Sequence, residues 1–410
     1  MLGERIRKLR KQKKMTLEGL AGEGLTKGML SLIENNKANP SMESLSYIAE
    51  RLEVEVTELL EETNTQELRE ILEQAEKLYN TESGKVTDKY KQVIVLIEPF
   101  IKNLSHGYES ARLLDIYCRC LFNENLDGWQ ELSVRAAKMY DEMNLTARRA
   151  GIGIFLAMVK FVEHNYGESL KIFLNERAEI KSNHAYIDPM TRVDLDYNEA
   201  ILYFAVGDSA SATRVMESAI EFSKEHRIFY RIDDLYRLAT VQAMMALDDE
   251  KKGYYSLKLK QYGDFADDTQ SIRFHDLFRV MSLIADQHDY LQALEIIEQY
   301  LSDPKLGEFY GIWYFLEKGK ALYGLRSYKE ALLFLDKVEI PSWAHHPFDL
   351  TLLYIMDSYK ALCYQELGME EEALQFAKNA VENFASLPPT PFKDFVIETY
   401  NCLREENPSN

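Results

Sequence analysis

The residues with the clearest chemical potential are the cations at the start of the chain. Residues 1–40 contain nine Lys or Arg and four Glu, a net charge of +5, whereas the whole chain carries −19. Residues 41–410 therefore carry −24. Clustered Lys and Arg side chains neutralise phosphates, which is the chemistry that nucleic-acid binding requires. An asymmetry of this size predicts a small basic module attached to a large acidic one.

The other reactive side chains form no recognisable catalytic or metal-binding pattern. The four Cys lack CxxC spacing, and the His345-His346 pair has no carboxylate or Cys at ligand spacing. The sequence contains no HExxH motif, phosphate-cradling Gly loop or nucleophile elbow. A local group of Asp286, His288 and Asp289 is typical of an exposed turn between helices. We therefore expect no catalytic residue, no metal and no cofactor, and interpret the chain as a protein other than an enzyme.

Hydrophobic stretches are short. The longest, near Ile152 to Val159, stops at Lys160 and is well below the length that spans a bilayer. The N-terminus is charged from its fourth residue, unlike a signal peptide. The sequence thus predicts a reduced, cytoplasmic protein with no membrane partner.

The basic module must be positioned by helices. Leu2, Ile6 and Leu9 recur at i, i+4 and i+7, which predicts an amphipathic first helix. Thr16 and Thr26 are typical N-caps of a second and a third helix. Two further helices with apolar residues at helical spacing complete the module, whose predicted extent is residues 1–62. Five short helices with a tight turn between the second and third indicate a helix-turn-helix arrangement.

The third predicted helix, Lys27–Asn35, divides its residues between two faces. Those expected to face inward are Met29, Leu30 and Ile33. Those expected to face outward are Lys27, Gly28, Ser31 and Leu32. Asn36 comes next and can take the left-handed conformation that ends a helix.

The run from Leu25 to Val54 resembles the core of the lambda-repressor-like (Cro/C1 or Xre-type) DNA-binding domain, although Leu17 replaces the family's usual Gln and the turn after Ala21 is one residue shorter. The resemblance implies that the third helix enters the major groove. It places Lys27, Gly28, Ser31 and Leu32 at base-facing positions, with Lys27 suited to guanine and Leu32 to a thymine methyl. It assigns phosphate contacts to Thr16, Asn36, Lys37 and Asn39. The alternative is a helical cap that no longer binds DNA.

The acidic part repeats itself. Small residues recur about forty positions apart, and they form one column when the repeats are aligned. A second column lies twelve positions before the first. The first column contains Ser169, Ala212, Ala293, Ala331 and Ala373, and the second contains Ala157, Ala200, Met281, Gly319 and Ala361. Antiparallel helices approach closely where both present small side chains. The pattern therefore predicts about eight helix pairs from Gln66 to Ala385, closed by a helix over Phe392 to Arg404.

These columns resemble the tetratricopeptide repeat, most clearly over Phe315 to Pro341. The implied fold class is all-α, with a lambda-repressor-like helix-turn-helix domain followed by a right-handed tetratricopeptide-repeat superhelix. The predicted division places a linker helix and first helical pair in 63–105 and the repeat domain in 106–405.

Repeat proteins of this kind bind peptides along a concave wall lined by the first helix of each pair. The family's groove positions correspond here to a mixed polar and aromatic set, which suits the backbone, termini and side chains of an extended peptide. The set comprises Asp194, Tyr197, Asn198, Ile201, His275, Phe278, Arg279, Ser282, Trp313, Glu317, Lys320, Tyr354, Asp357, Ser358 and Leu362. Each residue taken alone is more often a packing residue than a ligand contact.

An Xre-type domain joined to tetratricopeptide repeats is similar to the peptide-pheromone-sensing regulators of Gram-positive bacteria, the Rap, Rgg, NprR, PlcR and PrgX group. The resemblance implies a transcription regulator that senses a short signalling peptide in quorum sensing. It also implies a homodimer or tetramer that binds a pseudo-palindromic operator in double-stranded DNA. Asn198 matches the Asn that commonly holds the peptide backbone in that group. The alternative is an interaction protein whose repeats bind a protein partner such as a response regulator, with an auxiliary DNA-binding head.

Overall fold

The computed structural model describes residues 2–60, 65–82, 85–303 and 306–406, and it divides the chain into two compact units, 1–152 and 153–410. Within those ranges every assigned element is a helix. The predicted all-α class, with a helix-turn-helix head and helical repeats, is confirmed. No helix in these ranges is long and apolar enough to cross a membrane. The predicted boundary between residues 62 and 63 lies outside the described residues.

The first unit contains the five predicted short helices and the first longer ones. They are α1 (Leu2–Gln12), α2 (Leu17–Ala21), α3 (Lys27–Glu34), α4 (Met42–Leu52), α5 (Val56–Leu60), α6 (Thr65–Tyr79), α7 (Lys89–Ile97), a 3-10 helix (Glu98–Asn103), α8 (Tyr108–Asn123) and α9 (Trp129–Glu142). The next helix, α10 (Thr146–Val162), contains the division between the units.

The second unit continues as helical pairs with one additional short helix, α20. Its helices are α11 (Tyr166–Asn183), α12 (Pro189–Ala205), α13 (Ser209–His226), α14 (Ile232–Met245), α15 (Asp249–Ala266), α16 (Thr269–Ala285), α17 (Tyr290–Leu301), α18 (Gly307–Gly324), α19 (Tyr328–Leu335), α20 (Pro347–Tyr354), α21 (Met356–Glu366), α22 (Glu370–Phe384) and α23 (Pro391–Glu406).

Two glycines in the turn between α2 and α3 occupy positions where a side chain would be unfavourable. Gly22 adopts φ +52°, in the left-handed region where glycine has no steric penalty. Gly24 donates its backbone N–H to the Tyr47 hydroxyl at 3.0 Å. A Cβ on Gly24 would lie 2.5 Å from the Tyr47 ring. The shortened turn is therefore closed by a tyrosine from α4 that leaves no room for a side chain.

The small-residue columns of the repeats lie where helices touch. Ala200 and Ala212 are completely buried between α12 and α13, and the Ser169 hydroxyl donates to the Ala157 carbonyl at 2.7 Å. A Cβ on Gly319 would lie 2.5 Å from the side chain of Leu335, which is itself completely buried. Close approach of α18 and α19 thus requires glycine at this position.

Gly319→Ala is expected to lower the free energy of unfolding by about 1–3 kcal/mol, because overpacking of a close-packed core outweighs the gain in helix propensity. The matched control is Gly253→Ala in α15, where an added Cβ meets nothing within 4 Å. That variant is expected to stabilise the chain by up to about 1 kcal/mol. Urea unfolding followed by circular dichroism measures both, and equal effects would contradict the packing explanation.

Candidate DNA-binding surface and repeat-unit pocket

The N-terminal ends of α2 and α3 are built alike. Thr16 caps α2, and its hydroxyl accepts the Gly19 N–H at 2.9 Å. Thr26 caps α3, and its hydroxyl accepts the Met29 N–H at 3.1 Å. Both predicted caps are confirmed. Each cap leaves further backbone N–H groups at the helix start, and these favour a nearby anion such as a phosphate.

The outer face of α3 is more apolar than the sequence predicts. Lys27, Gly28 and Leu32 are exposed as expected, and Ser31 is half-buried. The inward prediction for Met29 is wrong, because its side chain is 47% exposed, close to the 46% of Leu32. At about 100° per residue, Met29 lies nearer to Leu32 than to the core-facing side, which explains the error. The i, i+3 spacing to Leu32 is the signal that sequence reasoning missed.

Lys27, the long donor at the start of α3, is held by α2. Its Nζ lies 2.7 Å from Glu18 Oε1, and both side chains are exposed to solvent. The hydrogen bond from Lys27 lowers the pKa of the Glu18 carboxyl. Exposed ion pairs contribute at most about 1 kcal/mol, so a DNA acceptor can replace Glu18 at small cost.

The polar residues after α3 differ in the contacts they make. Asn36 adopts the predicted left-handed conformation, with φ +54°, and its Oδ1 accepts the Gly3 N–H at 2.9 Å. This bond ties the end of α3 to the start of α1. Lys37 and Asn39 are exposed, as contacts to a phosphate backbone would require. Their predicted roles, like those of Thr16 and Lys27, remain predictions.

The opposite face of α3 is anchored by a buried ion pair. Arg10 of α1 donates from Nε to Glu34 Oε1 at 2.6 Å and from Nη2 to Glu34 Oε2 at 2.8 Å. Its Nη1 also donates to the Met15 carbonyl at 2.9 Å. The hydrogen bond with Glu34 raises the pKa of Arg10. Because this pair joins α1 to the far side of α3, it sets the orientation of the exposed face.

In the second unit, the groove residues predicted on α12 belong to a charged network with α14. Asp194 Oδ1 accepts from Arg231 Nε at 2.9 Å, and Arg231 Nη1 donates to Asp234 at 2.8 Å. The Arg231 guanidinium lies 5.0 Å from the Tyr197 ring centroid. Asn198 donates to the Asp194 carbonyl of its own helix at 2.7 Å and is buried. The amide donor expected to hold a peptide backbone thus makes an intrahelical bond.

The later groove positions fall into two sets. His275, Phe278, Arg279 and Ser282 line a cavity of about 370 Å³ between α15 and α16. In contrast, Glu317 and Lys320 are buried and paired with each other at 2.8 Å. The remaining positions are buried or half-buried, and they are Trp313, Tyr354, Asp357, Ser358 and Leu362. Asp357 accepts a hydrogen bond from Asn383 at 3.1 Å.

A second cavity joins parts of the second unit that are distant in sequence. Its volume is about 220 Å³. It is lined by Met158 and Phe161 of α10, Tyr197 and Ile201 of α12, Leu238 and Val241 of α14, and Trp343, His346, Phe348 and Asp349 around the start of α20. We call it the α20 pocket. Of the predicted peptide-binding residues, Tyr197 and Ile201 lie in it.

His346 positions the segment that closes the α20 pocket. Its Nδ1 accepts the Phe348 N–H at 3.0 Å, so its Nε2 carries the proton and donates to the Ile201 carbonyl at 3.1 Å. Burial lowers the pKa of His346 to about 4. The Tyr166 hydroxyl donates to the His345 carbonyl at 2.6 Å. His346 therefore acts as a neutral cap of α20 that is bonded to α12.

A family model described as a helix-turn-helix domain matches residues 3–64, so the N-terminal part of the chain is a helix-turn-helix domain. No curated protein is significantly similar to the chain.

The solved structures to which the chain is similar include PlcR, ComR and Rgg2. PlcR of Bacillus thuringiensis, solved with the peptide PapR7 and DNA, is 16% identical over 65% of this chain and 95% of PlcR, with a TM-score of 0.37. ComR of Streptococcus vestibularis, solved with its signalling peptide XIP, is 18% identical over 68% and 96%, with a TM-score of 0.35. The pheromone receptor Rgg2 of Streptococcus dysgalactiae is 15% identical over 68% and 99%, with a TM-score of 0.31. PlcR and Rgg also belong to the group that the sequence resembles.

Proposed function

We propose that this chain is a transcription regulator that binds double-stranded DNA through α3 and senses a short peptide through its helical repeats, in the manner of a cytoplasmic quorum-sensing receptor. The observation that carries the DNA-binding part is the match of residues 3–64 to a helix-turn-helix domain, together with the exposed outer face of α3. The +5 charge of residues 1–40 supports it, because phosphate neutralisation dominates affinity for DNA.

The charge distribution also favours a dimer on a pseudo-palindromic operator. The acidic remainder of the chain repels the duplex, so attraction comes from a small head alone. Two heads on successive major grooves double the number of contacts. Peptide binding would then act by changing the separation of the heads.

Lys27→Ala is expected to weaken binding to the preferred operator about tenfold, because one base contact contributes about 1–3 kcal/mol. The operator is first obtained by selecting full-length protein on a random-sequence duplex library, and affinity is then measured by fluorescence anisotropy at fixed salt. Lys329→Ala, an exposed site in α19, serves as the charge-matched control and should leave affinity unchanged. Equal effects of the two variants would contradict the placement of Lys27, and selection of no sequence would contradict DNA recognition itself.

A further inference from the structure

The α20 pocket combines apolar walls with one carboxylate. Most of its lining is aliphatic or aromatic, with Met158, Leu238 and Phe348 as examples, and Asp349 is its acidic member. Asp349 is half-buried, and its carboxylate makes no hydrogen bond or ion pair with the described residues. A carboxylate in largely apolar surroundings costs free energy unless water or a partner compensates its charge.

Arg237, the cation that acts on the pKa of Asp349, does not supply that partner. Arg237 interacts with Asp349 only through its charge at longer range. Its Nη2 donates to Asp234 at 2.5 Å, and its guanidinium lies 4.7 Å from the Phe274 ring centroid. Burial raises the pKa of Asp349 to about 6 despite Arg237. The carboxylate therefore has unused capacity for a cation.

The pocket is held in place and is small. The hydrogen bonds of His346 and of the His345 carbonyl join the start of α20 to α12 and α11, and they hold Asp349 in the pocket that Tyr197 and Ile201 also line. Cavities that hold whole drug-sized ligands measure about 300–1,000 Å³, so about 220 Å³ suits one large side chain and not an entire peptide.

We propose that the α20 pocket is an anchor site for a short peptide, in which one aromatic or branched aliphatic side chain fills the apolar space and an adjacent protonated amine or guanidinium pairs with Asp349. This inference rests on the proposed peptide-sensing function and specifies its ligand chemistry: an apolar residue next to a positive charge. The charge-assisted contact supplies selectivity, because an uncharged ligand would leave the carboxylate unpaired.

The pocket chemistry is tested on the full-length protein with three probes that share a phenyl ring on a two-carbon chain: 2-phenylethylamine, 2-phenylethanol and 3-phenylpropanoate. Ligand-observed NMR titration gives their affinities. We expect the amine to bind at least about fivefold more tightly than the alcohol, and the carboxylate to bind most weakly. Asp349→Asn should bring the amine and the alcohol within about twofold of each other. Asp264→Asn, an exposed carboxylate of α15, should preserve the preference. Equal binding of the three probes, no binding at millimolar concentration, or an unchanged preference in Asp349→Asn would overturn the assignment.

A second set of probes separates the anchor from peptide sensing in general. Acetyl-Ser-Lys-Phe-Ser-amide should bind more tightly than acetyl-Ser-Gln-Phe-Ser-amide if a side-chain cation is read. Recovery of affinity by the unacetylated Gln peptide would instead identify the N-terminal amine as the partner, and either result supports the proposal. Peptides that bind without regard to charge would leave peptide sensing intact and overturn the anchor. Binding of the amine but of no peptide would overturn the peptide as occupant.

Discussion

Glu34→Ala is expected to lower the free energy of unfolding of the helix-turn-helix domain by about 3–5 kcal/mol. The substitution removes both carboxylate oxygens that Arg10 contacts at 2.6 and 2.8 Å, and it leaves an arginine that is only 9% exposed. The Met15 carbonyl still accepts one of its hydrogen bonds, but it brings no compensating charge. Most of the expected loss is therefore the cost of a buried, unpaired cation and not the net contribution of the pair.

Hydrogen exchange of backbone amides in α1 and α3 of the full-length chain measures this effect, because it reports opening of one region within a larger protein. Lys13→Ala is the matched control. It removes an ion pair with Glu53 that spans the same domain at 2.5 Å but is exposed, and its expected cost is below about 1 kcal/mol. Similar losses of protection in the two variants would show that burial does not determine the strength of these pairs.

Asp349→Asn is expected to stabilise the second unit at neutral pH. The pKa of Asp349 is raised from 3.8 to about 6, chiefly by burial, which corresponds to about 3 kcal/mol at most. In the unfolded chain the carboxyl ionises above pH about 4, whereas in the folded protein it ionises only above about 6. The folded state therefore holds the extra proton between these values, and the free energy of unfolding falls as pH rises from about 4 to 6.

The Asp349→Asn variant cannot ionise at this position and avoids this loss. Its gain in the free energy of unfolding should therefore be complete at pH 7.5 and absent at pH 4. Thermal unfolding of the full-length protein at the two pH values measures it, with Asp264→Asn as the exposed comparison. A structural partnership between Asp349 and Arg237 predicts the opposite sign at pH 7.5. Destabilisation by Asp349→Asn would therefore refute the description of Asp349 as a half-buried carboxylate without a partner in the protein.

The helix-turn-helix part of the fold could be predicted because its determinants are local. Thr16, Thr26 and Asn36 each act on a helix end within a few residues, and the structure confirms all three. The small-residue columns were predictable for a related reason. A repeated packing constraint appears as a repeated residue, and Ala200 and Ala212 are buried where the columns place them.

The α20 pocket could not be predicted, because it depends on contacts between distant segments. His346 and Pro347 resemble a cap and first turn of a helix, but nothing near them indicates that the segment meets α12. Similarly, Asp194 and Asn198 have the residue types of a peptide-binding groove, yet hydrogen bonds within the unit occupy them. Repeat spacing predicts which side chains share a column, but not which of them remain free for a ligand.

The bond between His346 and Ile201 spans 145 residues of chain. In an open solenoid each repeat touches only its neighbours, so evolution can add or delete whole repeats without disturbing the rest. Here a gained or lost helical pair between α12 and α20 would displace His346 from Ile201. The contact therefore requires a fixed number of helices between α12 and α20. We expect natural variants of this chain to conserve that number even where their sequences diverge.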